Sequence, residues 1–217
     1  MKKNLVLPLL MVVLAVAALV VAANAGGDGP STQAGDVVIA GGDAQLVRAD
    51  SHRISEAPVD SVEFVEFLDF ECEACRAAHP AVTELRSLYG GEVSFVVRNF
   101  PLHNNSEAAA RAAEAAAAQD MFVEMMDLLF ETQPEWGESS SSQEEVFVGF
   151  AEQLGLDMTQ FREVYDDPAT LEKVRRDKAD GQALGVEGTP TFFLDGEKLE
   201  PSSFEDLVTA VEQAIGA

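Results

Sequence analysis

Two cysteines, the only ones in the chain, stand three positions apart in Cys72-Glu73-Ala74-Cys75. Thiols at this spacing can form a disulfide in an oxidising compartment, and the thiolate form of a cysteine is the nucleophile. The amides and dipole of a helix N-terminus would hold the pair at bonding distance and stabilise a thiolate on the first cysteine. The motif therefore predicts redox chemistry between thiols and disulfides.

Other uses of a CxxC motif fit the sequence less well. A structural disulfide across so short a loop removes little chain entropy from the unfolded state. A zinc site needs four ligands, whereas the three histidines His52, His79 and His103 are scattered along the chain. Copper(I) needs fewer thiolates, so a copper site made by Cys72 and Cys75 stays open as an alternative. We expect no metal and no cofactor.

Charge and composition exclude several functional classes. The chain has 217 residues, with 14 Lys and Arg against 38 Asp and Glu, and a formal net charge of −24. That charge would repel a nucleic-acid backbone and opposes docking of a folded face on anionic lipid. With 47% hydrophobic and 24% charged residues, most of the chain is expected to fold, as one domain or as one domain with an inserted subdomain.

The N-terminus carries an export signature. Lys2 and Lys3 precede an apolar run at residues 5–23, and Ala23-Asn24-Ala25 fits a small-x-small cleavage site. The run is also close to the length that crosses a bilayer, so residues 1–25 are predicted to be either a signal peptide or a membrane anchor. Residues 26–45 predict a flexible linker, and residues 46–217 the folded domain.

Buried-type strands flank the helix that carries the cysteines. Residues 62–68 and 93–97 are apolar on both faces and rich in β-branched and aromatic side chains, which is typical of central strands. A helix is expected between them, from about residue 72 to 88, before the Gly90-Gly91 stop. Strand, helix and strand form a βαβ unit with parallel strands and a right-handed crossover.

A helical block and a hairpin follow. One long helix is expected from residues 104–106 through Ala118 to about Phe130, and three shorter helices extend the block to about residue 184. The Asp195-Gly196 pair then predicts a hairpin between two strands, and a final helix runs to about Ile215. The order of elements is βαβ, helices, ββα.

Three stretches in this order carry a resemblance to a known family. They are Phe67-Leu68-Asp69-Phe70-Glu71 with the CxxC motif after it, Arg98-Asn99-Phe100-Pro101-Leu102, and Gly185-Val186-Glu187-Gly188-Thr189-Pro190-Thr191. The chain resembles the DsbA-like thiol:disulfide oxidoreductases of the thioredoxin superfamily. The resemblance implies an α/β thioredoxin fold (βαβ + ββα) over residues 46–217, with a helical subdomain inserted at about 104–184.

The resemblance also implies roles for five residues. Cys72 would be the exposed nucleophile and Cys75 the buried resolving thiol. Pro190 would be a cis-proline facing the two sulfurs, and Thr189 would offer main-chain hydrogen bonds to a substrate strand. Glu66 would be a buried carboxylate that helps to move the proton of the resolving thiol, although an exposed or ion-paired strand residue is an alternative interpretation.

The residues around the cysteines predict how the redox potential is tuned. Here Glu73 and Ala74 replace the strongly oxidising Cys-Pro-His-Cys pattern, and Glu71 precedes the motif. Negative neighbours oppose a second negative charge on Cys72. We therefore expect a potential more reducing than the roughly −120 mV of DsbA and nearer the roughly −200 to −270 mV of glutaredoxins and thioredoxin.

The predicted function is disulfide exchange outside the cytoplasm. Expected partners are exported proteins with cysteines and a membrane or envelope redox partner that recycles the motif. The N-terminal segment would leave the protein secreted, associated with the cell envelope, or membrane-anchored. Alternatives are a reductant for maturation of cytochromes or other cysteine proteins, a copper(I)-binding chaperone, and an anchored interaction module without redox activity.

Overall fold

The structure, a computed structural model, describes residues 43–55, 57–58 and 61–216. The predicted signal peptide or anchor at 1–25, and the predicted linker up to residue 42, lie outside the described residues. Within the part of the chain that is described, no helix combines the length and hydropathy that a bilayer crossing requires.

Five strands form one mixed sheet with the order β1-β3-β2-β4-β5. Only β2 and β3 run parallel, because the helix at Glu73–Tyr89 crosses over between them, and the other neighbouring pairs are antiparallel. The strands are β1 (His52–Arg53), β2 (Val62–Leu68), β3 (Val93–Asn99), β4 (Thr191–Leu194) and β5 (Glu197–Leu199). The central β2 and β3 are the near-continuous apolar runs that the sequence predicts, since helices or loops cover both faces.

Seven helices complete the described part of the chain, and five of them lie between β3 and β4. They are α1 (Glu73–Tyr89), α2 (Ser106–Ala117), α3 (Phe122–Trp136), α4 (Glu144–Gln153), α5 (Met158–Asp166), α6 (Pro168–Ala183) and α7 (Phe204–Ile215). The predicted thioredoxin-like α/β fold, with βαβ and ββα units around a helical insertion, is confirmed.

The expected single helix reaching Phe130 is wrong, because the chain breaks after α2. Asp120 has φ 59°, a left-handed conformation that ends a helix. The amide of Met121 then donates back to the carbonyl oxygen of Ala116 at 3.0 Å, and α3 starts at Phe122 in a new direction. Asp tolerates this conformation better than most residues, but the alanine-rich run before it hides the signal.

The core has three parts, and one of them contains the motif. Phe64, Phe95 and Leu85 belong to the cluster between the sheet and α1 and α7, and Val65 and Phe67 belong to the cluster on the opposite face. The third part is the interior of the helical insertion, and it includes Phe70 and Cys75. The insertion therefore packs directly against the turn that carries the cysteines.

A buried ion cluster joins the insertion to the sheet. Arg98 on β3 is completely buried and lies 2.9 Å from Asp177 and 2.6 Å from Asp180, both on α6. Its guanidinium group also donates to the carbonyl oxygens of Gln45 and Leu46. Removing one partner of such a buried cluster leaves an uncompensated charge, which typically costs about 3–5 kcal/mol. The cluster fixes α6 against the sheet.

Gly181 in α6 provides a test of this packing. A Cβ atom there would lie 2.8 Å from the Phe100 ring and 2.9 Å from the Phe67 ring, both of which are buried. We expect Gly181→Ala to lower the free energy of unfolding by about 1–3 kcal/mol, because the overpacking exceeds the gain in helix propensity. Denaturant unfolding measures this change.

Gly149→Ala is the matched control, because a Cβ atom at this helical position of α4 meets nothing within 4 Å. It should raise the free energy of unfolding by up to about 1 kcal/mol. If Gly181→Ala is as stable as the control, the close contact between α6 and the two phenylalanine rings is not present.

Candidate functional site

The CxxC motif lies in the connection between β2 and α1. The amide of Cys72 donates to the carbonyl oxygen of Asp69 at 3.1 Å, which forms a turn after the strand. Cys72 is the N-cap of α1 with an extended backbone (φ −74°, ψ 121°), and its side chain makes no capping hydrogen bond. Its sulfur therefore lies at the N-terminus of the helix, where the first amides have no helical partner.

The two sulfur atoms have unequal environments. Cys72 is partly exposed, whereas Cys75 is completely buried, and neither forms a disulfide in this structure. A hydrogen bond from the Cys75 thiol, aided by the Thr189 hydroxyl and the backbone amides of Cys75 and Ala74, outweighs burial and lowers the pKa of Cys72 to about 5. Burial, the hydrogen bond to Cys72 and the charge of Glu66 raise the pKa of Cys75. At neutral pH Cys72 is a thiolate and Cys75 a thiol.

The loop before β4 lies against Cys72. The peptide bond between Thr189 and Pro190 is cis, and the carbonyl oxygen of Thr189 lies 3.3 Å from the Cys72 sulfur. The Thr189 hydroxyl is buried without a hydrogen-bond partner among the described residues, and its side chain is one of the groups that lower the pKa of Cys72. The structure thus brings together Cys72, Thr189 and Pro190, which are far apart in the sequence.

Glu66 lies inside the sheet on β2. Its side chain is 5% exposed and forms no ion pair with any described residue, so the alternative interpretation as an exposed or ion-paired residue does not hold. Burial raises the pKa of Glu66 to about 8, and its carboxyl group is therefore mostly protonated at neutral pH. When Glu66 is ionised, its negative charge raises the pKa of Cys75. The Glu66 carboxyl group and the Cys75 sulfur are therefore close enough to interact electrostatically.

The predicted tuning of the motif by Glu71, Glu73 and Ala74 stays a prediction, and the structure shows where these three residues lie. Glu71 is 3% exposed, and its carboxylate accepts hydrogen bonds from the amides of Asn105 at 2.6 Å and Glu138 at 3.1 Å. It fastens the helical insertion to the motif, while Glu73 is exposed to solvent. Neither carboxylate is among the groups that most affect the pKa of Cys72, and Ala74 contributes only through its amide.

Gln133 on α3 is a site residue that the sequence did not reveal. Its side-chain amide is buried and donates to the carbonyl oxygens of Phe70 at 2.7 Å and Cys72 at 3.0 Å, and its oxygen accepts from Arg76 at 3.0 Å. These bonds hold both ends of the turn before α1. A polar residue among the apolar positions of α3 was the available signal, since a buried amide must find partners.

Asp69 and His103 form a second pair that sequence reasoning missed. Asp69 is 1% exposed, and its carboxylate accepts from the amide of Leu102 at 2.7 Å and from the His103 ring at 2.6 Å. Asp69 belongs to one stretch that carries the family resemblance and His103 directly follows another, but the two residues are 34 positions apart. Only the parallel pairing of β2 with β3 brings the ends of these strands together.

Comparison with known proteins agrees with this geometry. The family model described as Thioredoxin matches residues 55–213. The chain belongs to the thioredoxin family. The matched residues include the motif, the helical insertion and the loop with Thr189 and Pro190, so the predicted membership of the thioredoxin superfamily is confirmed.

Solved structures of this family share the fold. A thioredoxin-like oxidoreductase from Silicibacter pomeroyi DSS-3 is 30% identical with a TM-score of 0.61, and the match covers 72% of this chain and 87% of that one. Alpha-DsbA1 from Wolbachia pipientis has 18% identity, a TM-score of 0.70 and coverage of 79% and 94%. BdbD from Bacillus subtilis has 21% identity, a TM-score of 0.65 and coverage of 74% and 91%. At the last two identities the likeness concerns the fold alone.

Curated relatives are much longer than this family member. A Na(+)/H(+) antiporter NhaA from Herminiimonas arsenicoxydans is 39% identical over 159 residues, which is 73% of this chain and 24% of that protein. NhaA 3 from Salinispora tropica is 39% identical over 166 residues, which is 75% of this chain and again 24% of the relative. The chain thus spans about a quarter of the length of the curated relatives that it matches.

The environment of Cys72 predicts its titration. In the reduced protein the rate of alkylation by iodoacetamide should rise with a midpoint near pH 5, while Cys75 stays unreactive in the folded state. Cys75→Ala removes the hydrogen bond with the largest effect and should raise the midpoint more than Thr189→Val does. A midpoint near the ordinary cysteine value of about 8.5 in the unmutated protein would contradict the structure.

Burial of Glu66 predicts a pH-dependent stability. The pKa is raised on folding, so the folded state binds this proton more tightly, and the stabilisation present below about pH 4.5 is lost as pH rises to about 8. Over this range the reduced unmutated protein should lose on the order of 4 kcal/mol relative to Glu66→Gln, which cannot ionise. Denaturant unfolding at several pH values gives the difference.

Glu63→Gln on the same strand is the matched control, because Glu63 is less buried and lies 2.7 Å from Arg53. Removing this partly exposed pair should change stability by less than about 1 kcal/mol, without the same dependence on pH. Parallel pH profiles for the unmutated protein and Glu66→Gln would show that Glu66 is ionised in the folded protein.

Proposed function

We propose that this protein is a thiol:disulfide oxidoreductase that exchanges disulfides with cysteine-containing exported proteins through Cys72 and Cys75. The observation that carries the proposal is the inequality of the two sulfurs: an accessible thiolate at a helix N-terminus and a buried thiol beside it. A structural disulfide has no need of such a difference. The folded domain that performs the exchange spans residues 46–217.

The exchange proceeds through a mixed disulfide. A substrate thiolate attacks the Cys72 sulfur of the oxidised protein, the bond to Cys75 breaks, and the electron pair leaves on the Cys75 sulfur. A second substrate thiolate then attacks the substrate sulfur of the mixed disulfide and releases the Cys72 thiolate. The substrate loses two electrons, and the Cys72–Cys75 pair gains them. The reverse sequence reduces a substrate.

Glu66 exchanges a proton with the buried Cys75 during this reaction. When the disulfide opens, the new Cys75 thiolate is in a site where burial strongly favours the neutral thiol. The Glu66 carboxyl group, with a pKa of about 8, holds a proton at neutral pH and can supply it to Cys75, or receive it during the reverse step. Burial thus gives Glu66 a pKa suited to proton transfer near neutral pH.

Thr189 and Pro190 form the substrate-binding side. The Thr189 carbonyl oxygen is next to the Cys72 sulfur, so an extended substrate segment that places its own sulfur there runs along the main chain of this loop. Main-chain hydrogen bonds would hold such a segment without selecting its side chains. This arrangement suits many different substrate proteins.

The pKa of Cys72 sets the direction of exchange. A value of about 5 lies between the roughly 7 of thioredoxin and the roughly 3.5 of DsbA. A pKa below that of thioredoxin favours oxidation of substrates over the reductant alternative, because a more stable Cys72 thiolate stabilises the reduced form of the motif.

The location and partners follow from the sequence. Residues 1–25 would export the protein and either leave it secreted or anchor it at the membrane, so that the motif meets substrates outside the cytoplasm. Each turnover changes the redox state of the motif, and a membrane or envelope redox partner would restore it. The copper(I) alternative is less favoured, because two thiolate ligands would require Cys75 to ionise against the rise in its pKa.

Activity assays and a redox titration test the proposal. The reduced protein should reduce insulin, and the oxidised protein should refold a reduced test protein, whereas Cys72→Ser should do neither. Equilibration with glutathione should give a potential between the roughly −270 mV of thioredoxin and the roughly −120 mV of DsbA. A redox-silent protein that binds copper(I) through its thiols would overturn the proposal, and a potential below about −250 mV would assign it reductant duty.

A further inference from the structure

His103 is attached to the turn that carries both cysteines. Its ring Nδ1 lies 2.6 Å from the carboxylate of Asp69. The main chain of Asp69 in turn accepts a hydrogen bond from the Cys72 amide at 3.1 Å and donates one to the Cys75 sulfur at 3.5 Å. A single residue therefore connects the imidazole ring to both halves of the redox motif.

The bond to Asp69 selects the tautomer of His103. Asp69 is buried and its carboxylate accepts from the amides of Glu71 at 2.9 Å and Leu102 at 2.7 Å, so it acts as an acceptor toward His103 as well. The proton of the neutral imidazole therefore stays on Nδ1, and Nε2 can exchange a proton. The side chain of His103 is 46% exposed, and Nε2 makes no hydrogen bond within the described residues.

Charges around His103 connect it to Cys72. Burial by itself would lower the pKa of His103. The hydrogen bond to Asp69 and the negative charges of Asp69, Cys72 and Glu71 outweigh burial and raise this pKa above its ordinary value. The other charged group at this loop is Lys178 on α6, which donates to the carbonyl oxygen of Pro101 at 2.6 Å. His103 is therefore within electrostatic reach of the reactive sulfur.

The other titratable groups near the motif cannot serve this sulfur in the same way. Glu66 acts on the buried Cys75, and Glu71 is occupied by main-chain amides. His79 on α1 is paired with Asp127 at 2.9 Å. Between the cysteines, Glu73 and Ala74 provide no imidazole. His103, by contrast, is hydrogen-bonded to Asp69 in the turn of the motif, and its Nε2 makes no hydrogen bond within the described residues.

We propose that His103, positioned by Asp69, is the acid–base partner of Cys72 in disulfide exchange with protein thiols. This inference rests on the proposed function and adds to it a group for the exposed sulfur, as Glu66 serves the buried one. It also assigns Asp69 a positioning role, since its carboxylate orients the ring and does not meet the substrate.

Two protons move during this step, one from the substrate thiol to His103 and one from Glu66 to Cys75. In the oxidised protein Cys72 carries no charge, so His103 is less basic and its neutral Nε2 takes the proton of an incoming substrate thiol. The resulting thiolate attacks the Cys72 sulfur, the Cys72–Cys75 bond breaks, and the electron pair leaves on Cys75, which takes a proton from Glu66. When the Cys72 thiolate later leaves the mixed disulfide, the protonated ring stabilises it.

Thiolate titration tests the electrostatic half of the proposal without any substrate. His103→Gln should raise the midpoint of Cys72 alkylation, by less than Cys75→Ala does, because it removes a nearby cation. His103→Lys should restore the lower midpoint. His79→Gln, which breaks an imidazole–carboxylate pair away from Cys72, should leave it unchanged. By reciprocity, Cys72→Ala should lower the pKa of His103 in an NMR titration.

The pH dependence of exchange tests the proton transfer. The rate at which the oxidised protein reacts with a reduced peptide thiol should be on the order of 10-fold lower at pH 7 in both His103→Gln and His103→Lys. Neither variant can accept a proton there, although lysine keeps the charge. His79→Gln should follow the unmutated protein across the pH range.

The outcomes separate this inference from the proposed function. If the unmutated protein exchanges disulfides but His103→Gln has the same Cys72 midpoint and the same pH–rate profile, the role of His103 is refuted and the function stands. If His103→Lys regains the full exchange rate, His103 acts by charge alone and the proton-transfer step is refuted. Absence of exchange in the unmutated protein refutes the proposed function itself.

Discussion

The hydrogen bond between the two cysteine sulfurs is the interaction on which the site depends. It makes the largest contribution to lowering the pKa of Cys72, and it also helps to raise the pKa of Cys75. The bond exists because Cys72 is the N-cap and Cys75 lies one turn into α1, so that one sulfur is accessible and the other is buried. Unequal burial thus makes Cys72 the nucleophile and Cys75 the resolving thiol.

The helical insertion has a direct structural part in this arrangement. Gln133 holds the main chain on both sides of the turn, Glu71 fastens the start of α2, and the Cys75 side chain is buried in the interior of the insertion. Without these contacts the turn would be a solvent-exposed loop, and desolvation of Cys75 would be weaker. The insertion therefore controls the redox motif as well as enlarging the fold.

Three carboxylates near the motif have three different states because their surroundings differ. Glu66 lacks a cation or hydrogen-bond donor among the described residues and holds a proton, whereas Glu71 is satisfied by main-chain amides. Asp69 is bonded to two amides and an imidazole ring. A count of acidic residues around the cysteines cannot predict the redox potential. The effect of each carboxylate on the cysteine pKa values depends on its position relative to the sulfurs and on its own hydrogen bonds.

Local sequence determined strands β2 to β5, most helices and the placement of the cysteines at a helix start, because periodicity and capping act over a few residues, whereas β1 gave no such signal. It also pointed to Pro190 through its order after the motif. Tertiary structure alone decided that Glu71 faces the insertion, that Gln133 holds the turn, and that His103 meets Asp69. These contacts join residues more than 30 positions apart, and burial and hydrogen bonding between such residues exist only once the parallel strands and the insertion have packed together.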